Sequence, residues 1–288
     1  MTATLTQPIK WHGGKHYLAD RIIGLMPPRA KNPNAPAADD PGWLHYCEPY
    51  AGGLAVLLAN DPTGISECVN DLDGRLTNFW RVLRGVDSFH AFLGTVAATP
   101  FSETEWNDAA EHLDDPEPDS RAAAFFVRCR QSLAGRMNSF SPLTRSRCRK
   151  QMNEQAAAWL GAIEGLPAVH ARLSRVVIRN KPALDVIRAE DGVRTLFYLD
   201  PPYLAETRTA PDVYALEMNE GDHEELLHLL DTIKGRFLLS GYRSKLYDSF
   251  AVPSKWNRHD FDLPNNAAGG AGKRRMTECV GCNFWEGD

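Results

Sequence analysis

The chain has 288 residues, 43% of them hydrophobic and 24% charged, with a formal net charge of −5. That length suits one large domain or a core domain carrying an insertion, and the acidic balance argues against a protein that coats nucleic acid uniformly. Apolar runs such as GGLAVLLAN around Leu57 are far too short to cross a bilayer, and the N-terminus MTATLTQPIKWHGGK lacks the layout of a secretory signal, so the expected location is the cytoplasm.

Taken in chain order, HYLADRIIGLM reads as a first helix, apolar at Leu18, Ile22, Leu25 and Met26. The proline-rich NPNAPAADDPG at 32–42 is a loop. WLHYCEP is a short strand, a helix follows Gly52 and Gly53, and GISECVND is a second strand ending on Asp71. GRLTNFWRVLRG is a helix with Leu76, Phe79, Trp80 and Leu83 on one side. Residues 89–171 are mostly helical in pattern, broken by the polar loop AGRMNSFSPLTRSRCRKQ. Strand patterns then return as RVVIRN, TLFYLD and RFLLSGY. Between the last two, GDHEELLHLLDTIKG is an amphipathic helix with Leu226, Leu227, Leu230 and Ile233 inward and Asp222 as its expected N-cap. Strand–helix alternation at both ends implies an α/β protein with a mostly parallel sheet and a helical or mixed insertion in the middle. The expected division is 1–85 with 173–288 as the core, and 86–172 as the insertion. Ligands of such sheets bind beyond the carboxyl ends of the strands, which here carry Glu48, Asp71, Asp200 and the Ser240-Gly241-Tyr242 turn.

Six cysteines are scattered along the chain. Reduced, packed thiols are expected in a chain of this length without export signals. Cys279 and Cys282 form a lone CxxC with no second ligand pair at a convincing spacing, so no structural metal is expected. Charge is distributed unevenly. Arg121 to Asn153 holds eight basic residues and no acids, directly after the acidic EHLDDPEPDS. A solvated helix face explains part of such a run, but the lack of interleaved acids favours a surface that faces phosphate.

The run TLFYLDPPY ends a strand in Asp200-Pro201-Pro202-Tyr203. Each proline lacks an N–H and fixes its own φ, and each restricts the residue before it. The chain therefore leaves the sheet abruptly and presents carbonyls with no intrastrand donor. A carboxylate beside a rigid carbonyl is a paired acceptor for an NH2 group, and the tyrosine ring can stack on the flat molecule that carries it. An exocyclic amine is a poor nucleophile because its lone pair is delocalised into the ring. Acceptors at Asp200 and the Pro201 carbonyl would hold both protons and favour a pyramidal nitrogen, so that positioning and electrostatics supply the rate of methyl transfer. EPYAGG, Glu48 to Gly53, differs from a phosphate-binding GxGxxG, and Glu48 would repel a pyrophosphate but attract a sulfonium or amino group. Asp71, about twenty residues on, stands where a ribose diol is usually gripped, and a plain surface acid explains it equally well.

Taken together these residues resemble the Dam-type DNA adenine methyltransferases, the alpha group with a DPPY motif. The blocks are IKWHGGK (9–15), EPYAGGLAV (48–56), NDLDGRLTNFW (70–80), FYLDPPY (197–203) and LSGYRSKLYDSF (239–250), in the order of that group. The resemblance implies a Rossmann-like class I methyltransferase sheet with helices on both faces, plus a mainly helical inserted target-recognition domain. It implies S-adenosylmethionine as methyl donor, no metal, and the N6 amine of a flipped adenine in double-stranded DNA as acceptor. Carried over by position, Trp11 and Lys15 would contact the cofactor. Glu48, Pro49, Tyr50 and Gly52 would line its methionine end, and Asp71 with Leu72 its ribose side. Asp200 would bridge the methionine amino group and the target amine within the catalytic set Asp200, Pro201, Pro202 and Tyr203, with Tyr203 stacking on the adenine. Arg136, Asn138, Arg145, Arg147 and Arg149 are the expected DNA contacts, and a second basic cluster, Lys273, Arg274 and Arg275, either closes over DNA or is an ordinary solvated tail loop. SGY stands where many relatives have Ser-Asn-Tyr or Ser-Asn-His, and the segment 86–172 matches relatives only loosely, so the recognised sequence is not transferred. Monomeric action on DNA in a bacterial or phage-infected cytoplasm is the default. Two other readings remain: the same chemistry on another amine (cytosine N4, RNA adenine or a protein glutamine), and a catalytically silent DNA-binding relative. Asp200, where those other amine enzymes more often carry Ser or Asn, favours adenine, and the intact Lys15, Asp71, Asp200 and Tyr203 favour an active enzyme.

Overall fold

A computed structural model describes residues 5–11, 13–204, 206, 217–250, 256–264 and 275–285. The first described elements are α1 (Ala19–Leu25), β1 (His45–Glu48), α2 (Ala55–Ala59), β2 (Ser66–Asn70), α3 (Gly74–Arg84) and α4 (Val86–Ala98). Next come α5 (Glu103–Asp108), α6 (Pro118–Arg130), the hairpin strands β3 (Cys148–Arg149) and β4 (Met152–Asn153), α7 (Glu154–Leu173) and β5 (Val176–Arg179). The last are α8 (Ala183–Glu190), β6 (Thr195–Leu199), α9 (Glu220–Leu230), β7 (Arg236–Tyr242), α10 (Lys245–Phe250), β8 (Asn257–Pro264) and β9 (Arg275–Cys282). The chain folds as two compact units. One comprises Met1–Asp20, Gly52–Asp61 and Asp71–Asn180, and the other Arg21–Ala51, Pro62–Asn70 and Lys181–Asp288.

The first unit is helical around an aromatic core. The spacing of Leu76, Phe79, Trp80 and Leu83 puts all four on the buried side of α3, as the apolar period requires. Phe79 sits 4.7 Å from Trp80 and stacks on Phe126 of α6 at 5.9 Å, and it meets Phe92 of α4 edge-on at 5.9 Å. Asp73 caps α3 by accepting from the backbone N–H groups of Arg75 and Leu76. On α7, His170 lies flat on Phe89 at 4.3 Å with Nδ1 2.7 Å from the Leu83 carbonyl, which makes it a packing residue.

In the second unit six strands are neighbours in the order β2-β1-β6-β7-β9-β8. The first four are mutually parallel, and β9 and β8 close the edge antiparallel. That antiparallel edge is an addition to the parallel pattern expected from the sequence. All five residues of β6 are buried, as a strand covered on both sides demands. Cys47, Phe197, Leu199, Phe237 and Leu239 pack with Val186 and Ile187 of α8 and with Leu226, Leu227 and Leu230 of α9. Two expectations change. The N-cap of α9 is Asn219, and Asp222 stands at the third helical position of a reciprocal capping box. Ile233 lies beyond the end of α9, yet still packs against the cluster. The result is a mixed α/β protein whose mostly parallel sheet is flanked by helices.

Candidate active site

In the second unit the parallel strands bring their carboxyl ends to one edge of the sheet. Cys47 is level with Phe197 and Leu199 with Leu239, so Glu48 at the end of β1, Asp200 just past β6 and Ser240 near the end of β7 come from neighbouring strands. Asp200 is the first residue after β6, and Pro201 and Pro202 take the chain out of the ladder because neither can donate to it. Glu48 is buried and its Oε1 accepts from the Tyr46 hydroxyl at 2.8 Å. Burial, and then the adjacent Glu48 charge, push the Tyr46 hydroxyl well above the ordinary phenol range. The turn after Glu48 is tied down by Asn70, a residue without a role in the sequence reading. Its amide donates to the carbonyls of Pro49 (2.9 Å) and Lys181 (3.0 Å), and its Oδ1 accepts the Lys181 N–H at 2.9 Å.

Tyr203 is only 5% exposed. Its hydroxyl donates to Glu278 Oε1 of β9 at 2.5 Å, and its ring meets Tyr242 edge-on, centroids 4.7 Å apart at 76°. Burial raises this hydroxyl's pKa well above its ordinary value, and the Asp200 and Glu278 charges add to it. In this form little of the ring's surface is open to a ligand. Elsewhere in the same unit, the Tyr247 hydroxyl lies 3.0 Å from His223 Nδ1. Its pKa is also raised, first by burial and then by Tyr50 and Asp200, so these side chains share one local field. Tyr50 is raised in the same direction for the same first reason.

The first unit holds a second constellation, centred on Gly52. This residue has φ +46°, and a Cβ there would sit 2.7 Å from the Trp11 indole nitrogen, so any other residue would be strained and would have to displace the indole. Its N–H donates to Asp71 Oδ2 at 3.0 Å, and its carbonyl accepts from the Trp80 indole at 3.1 Å. Asp71 Oδ1 accepts the Asp73 N–H at 3.0 Å. Burial lifts the Asp71 carboxyl from the ordinary 3.8 to about 6, because desolvation outweighs the backbone N–H groups that favour its charge. Leu72, next in the chain, is 54% exposed. Lys15 is buried and its Nζ donates to the Gly13 carbonyl at 2.9 Å.

The basic run divides. Arg121 spends its guanidinium on the carbonyls of Asp115 and Pro116 and on Asn78. Arg128 lies over the Trp106 ring at 3.3 Å and donates to the carbonyls of Trp106 and Met137. Arg130 donates to the Ala158 carbonyl at 2.8 Å. These three are packing arginines, which corrects the reading of the whole run as one surface. Arg136, Asn138, Arg145, Arg147, Arg149 and Lys150 are all exposed. Acids from outside the run reach two of them. Arg147 is 3.9 Å from Glu154, and Lys150 is 3.0 Å from Glu164 at the turn between β3 and β4. Lys273 and Arg274 lie outside the described residues.

All six cysteines are free thiols. Cys279 and Cys282 are three apart on one strand, β9, so their side chains point to opposite faces. Among the described residues no group of three or more His, Cys, Asp or Glu could hold a metal ion, and no helix is long and apolar enough to cross a membrane.

A mostly parallel sheet with a carboxylate, two prolines and a tyrosine at the end of a central strand is the frame expected of an amine-directed methyltransferase. The sequence matches the model of the D12 class N6 adenine-specific DNA methyltransferase family over residues 11–261, and the chain belongs to that family. It is therefore a DNA methyltransferase whose reaction is on the N6 amine of adenine, and methyltransferases generally take S-adenosylmethionine as cofactor. No curated protein matches the sequence.

Proposed function

We propose that the chain transfers a methyl group from S-adenosylmethionine to an adenine flipped out of duplex DNA. The carrying observation is the exit of β6, where Asp200 and two prolines follow a fully buried strand at the edge that also carries Glu48. The residues present suit the cofactor's chemistry. Its sulfonium and amino group are cationic and match the carboxylates of Glu48 and Asp200, and its ribose hydroxyls match Asp71. Both oxygens of Asp71 already accept one backbone N–H each and keep a further lone pair. Trp11, Lys15, Pro49, Tyr50 and Leu72, which is exposed next to Asp71 in the chain, are the other residues assigned to the cofactor.

When bound, S-adenosylmethionine supplies an electrophilic methyl. The chain's own part is to hold the amine. Asp200 and the Pro201 carbonyl accept hydrogen bonds from its two N–H groups and free the nitrogen lone pair, and the Asp200 carboxylate is close by for the one proton the methylated amine must shed. Tyr203 stacks on the base after its present cover has moved aside. Flipping follows from chemistry, since the N6 amine is paired inside a duplex. Arg136, Asn138, Arg145, Arg147 and Arg149 are assigned to DNA on their shared exposure, and Lys273 and Arg274 on charge alone. The enzyme acts as a monomer in the cytoplasm of a bacterium or of a phage-infected cell.

The test is nucleoside mass spectrometry of plasmid DNA incubated with the purified protein and S-adenosylmethionine. N6-methyladenine is expected from the wild type and none from Asp200→Ala, with DNA binding by the variant retained. Methylcytosine as the product, or turnover by Asp200→Ala, overturns the assignment.

A further inference from the structure

We propose that Glu278 is a positioning residue for the reaction, acting through Tyr203. This rests on the reading of Tyr203 as the ring that receives the adenine. The two residues are 75 apart in sequence, yet the Tyr203 hydroxyl donates to Glu278 Oε1. Glu278 is 2% exposed. A carboxylate is costly to take out of water, and on β9, paired on both sides by β7 and β8, it must be held by hydrogen-bond partners. The register supplies the geometry. Glu278 is directly opposite Tyr242 in the antiparallel pair of β9 with β7, and Tyr242 is the residue whose ring meets Tyr203 edge-on. One cross-strand pair thus holds the tyrosine at two points, its ring by Tyr242 and its para oxygen by Glu278.

The physical consequence is preorganisation. A tyrosine on a loop can swing about χ1, and the two prolines before Tyr203 stiffen the backbone but leave that torsion open. A hydrogen bond at the far end of the ring closes it. Once the ring's present cover has moved aside, the base lands on a plane whose tilt is already set, and the amine arrives in register with Asp200. Because misplacing a reacting group by about 1 Å costs on the order of a hundredfold in rate, loss of the tether is read in kcat, while DNA affinity, carried by the exposed arginines, stays.

The experiment compares Glu278→Gln, Glu278→Leu, Tyr203→Phe and the double variant Tyr203→Phe/Glu278→Leu, with Tyr203→Ala as a control for the ring. Methyl transfer is measured as separate kcat and KM for DNA, alongside the fluorescence of 2-aminopurine placed at the target base. Glutamine keeps an acceptor oxygen, so Glu278→Gln is expected to retain the rate within about threefold. Glu278→Leu and Tyr203→Phe should each lower kcat about ten- to a hundredfold with KM for DNA little changed, and the double variant should be no worse than either single one, because both remove the same bond. The 2-aminopurine signal in Glu278→Leu should be brighter than in the wild type, as expected for a flipped base that is less well stacked. Should Glu278→Leu fail to fold, Tyr203→Phe removes the same bond from the other side and decides the matter. Equal rates for Glu278→Gln and Glu278→Leu, or additive losses in the double variant, overturn the proposal while leaving the function intact. Full activity in Tyr203→Ala, or no DNA methylation by the wild type, overturns both.

Discussion

The backbone N–H of Gly52 donates to the Asp71 carboxylate at 3.0 Å across nineteen residues. Trp80 takes the carbonyl of the same glycine, and the Trp11 indole fills the space a side chain would need. A turn pinned on three sides is a rigid wall against which a ligand can be fitted, and its conformation is one that glycine adopts at the least cost. Gly52→Ala therefore introduces both a positive-φ penalty and a contact with Trp11. It should destabilise the protein by about 1–3 kcal/mol, seen as a lower urea midpoint, and weaken cofactor binding in a calorimetric titration. An unchanged midpoint would mean that Trp11 moves away freely and that the turn is not a wall.

Asp71 gives a pH signature. Its folded-state pKa is about 6, above the ordinary 3.8. For an acid raised on folding, the neutral form is the one the fold prefers. Its favourable contribution is whole below about pH 4 and is lost as the pH climbs through 6, a change on the order of 3 kcal/mol. Asp71→Asn has no charge to desolvate, so its stability relative to the wild type should rise between pH 4 and pH 7, measured by urea unfolding at several pH values. A difference that stays flat over that range would show that the carboxyl titrates normally. Ribose hydroxyls would donate to the ionised form, so cofactor affinity in the wild type should fall below about pH 6.

Much of this was legible in the sequence because it rests on local pattern. The face of α3, the buried run of β6 and its exit at Asp200 all follow from periodicity and from two prolines. What escaped depends on long-range pairing. Glu278 lies in the described stretch nearest the C-terminus, and only the antiparallel register of β9 brings it to Tyr203. Asn70 meets Lys181 through two hydrogen bonds and the Pro49 carbonyl through a third, around a turn that no spacing announces. The arginines of the basic run show the same limit. Charge counting cannot distinguish Arg128, laid on Trp106, from Arg145, which is exposed.

The capping box of α9 shows how a small shift in reading changes the expected cost of a substitution. Asn219 accepts from the Asp222 N–H at 3.1 Å while Asp222 accepts from the Asn219 N–H at 2.8 Å. Asn219→Ala should cost about 1 kcal/mol of stability with no change in kcat at saturating substrate, checked by urea unfolding and steady-state rates. A loss of kcat larger than the loss of stability explains would tie this helix end to the active site.

The split in the basic run predicts two distinct phenotypes. Arg145 and Arg147 are exposed, and Glu154 lies 3.9 Å from Arg147. An ion pair at that distance and exposure holds the side chain only weakly, so both guanidinium groups can turn to phosphate. Replacing both by glutamine should weaken DNA binding and reduce the slope of log K against log salt by about 1–2, with the melting temperature unchanged. Arg128 should behave in the opposite way. Its guanidinium is committed to the Trp106 ring and to two carbonyls, so Arg128→Gln should lower stability, by about 1–3 kcal/mol for the lost charged hydrogen bonds, and leave the salt slope of the folded fraction as it was. Fluorescence anisotropy of labelled duplex DNA over a range of salt, paired with thermal melts, separates the two. If Arg128→Gln lowered the salt slope while Arg145 and Arg147 did not, the DNA-facing surface would lie on the packed side of the run, and the assignment by exposure would fall.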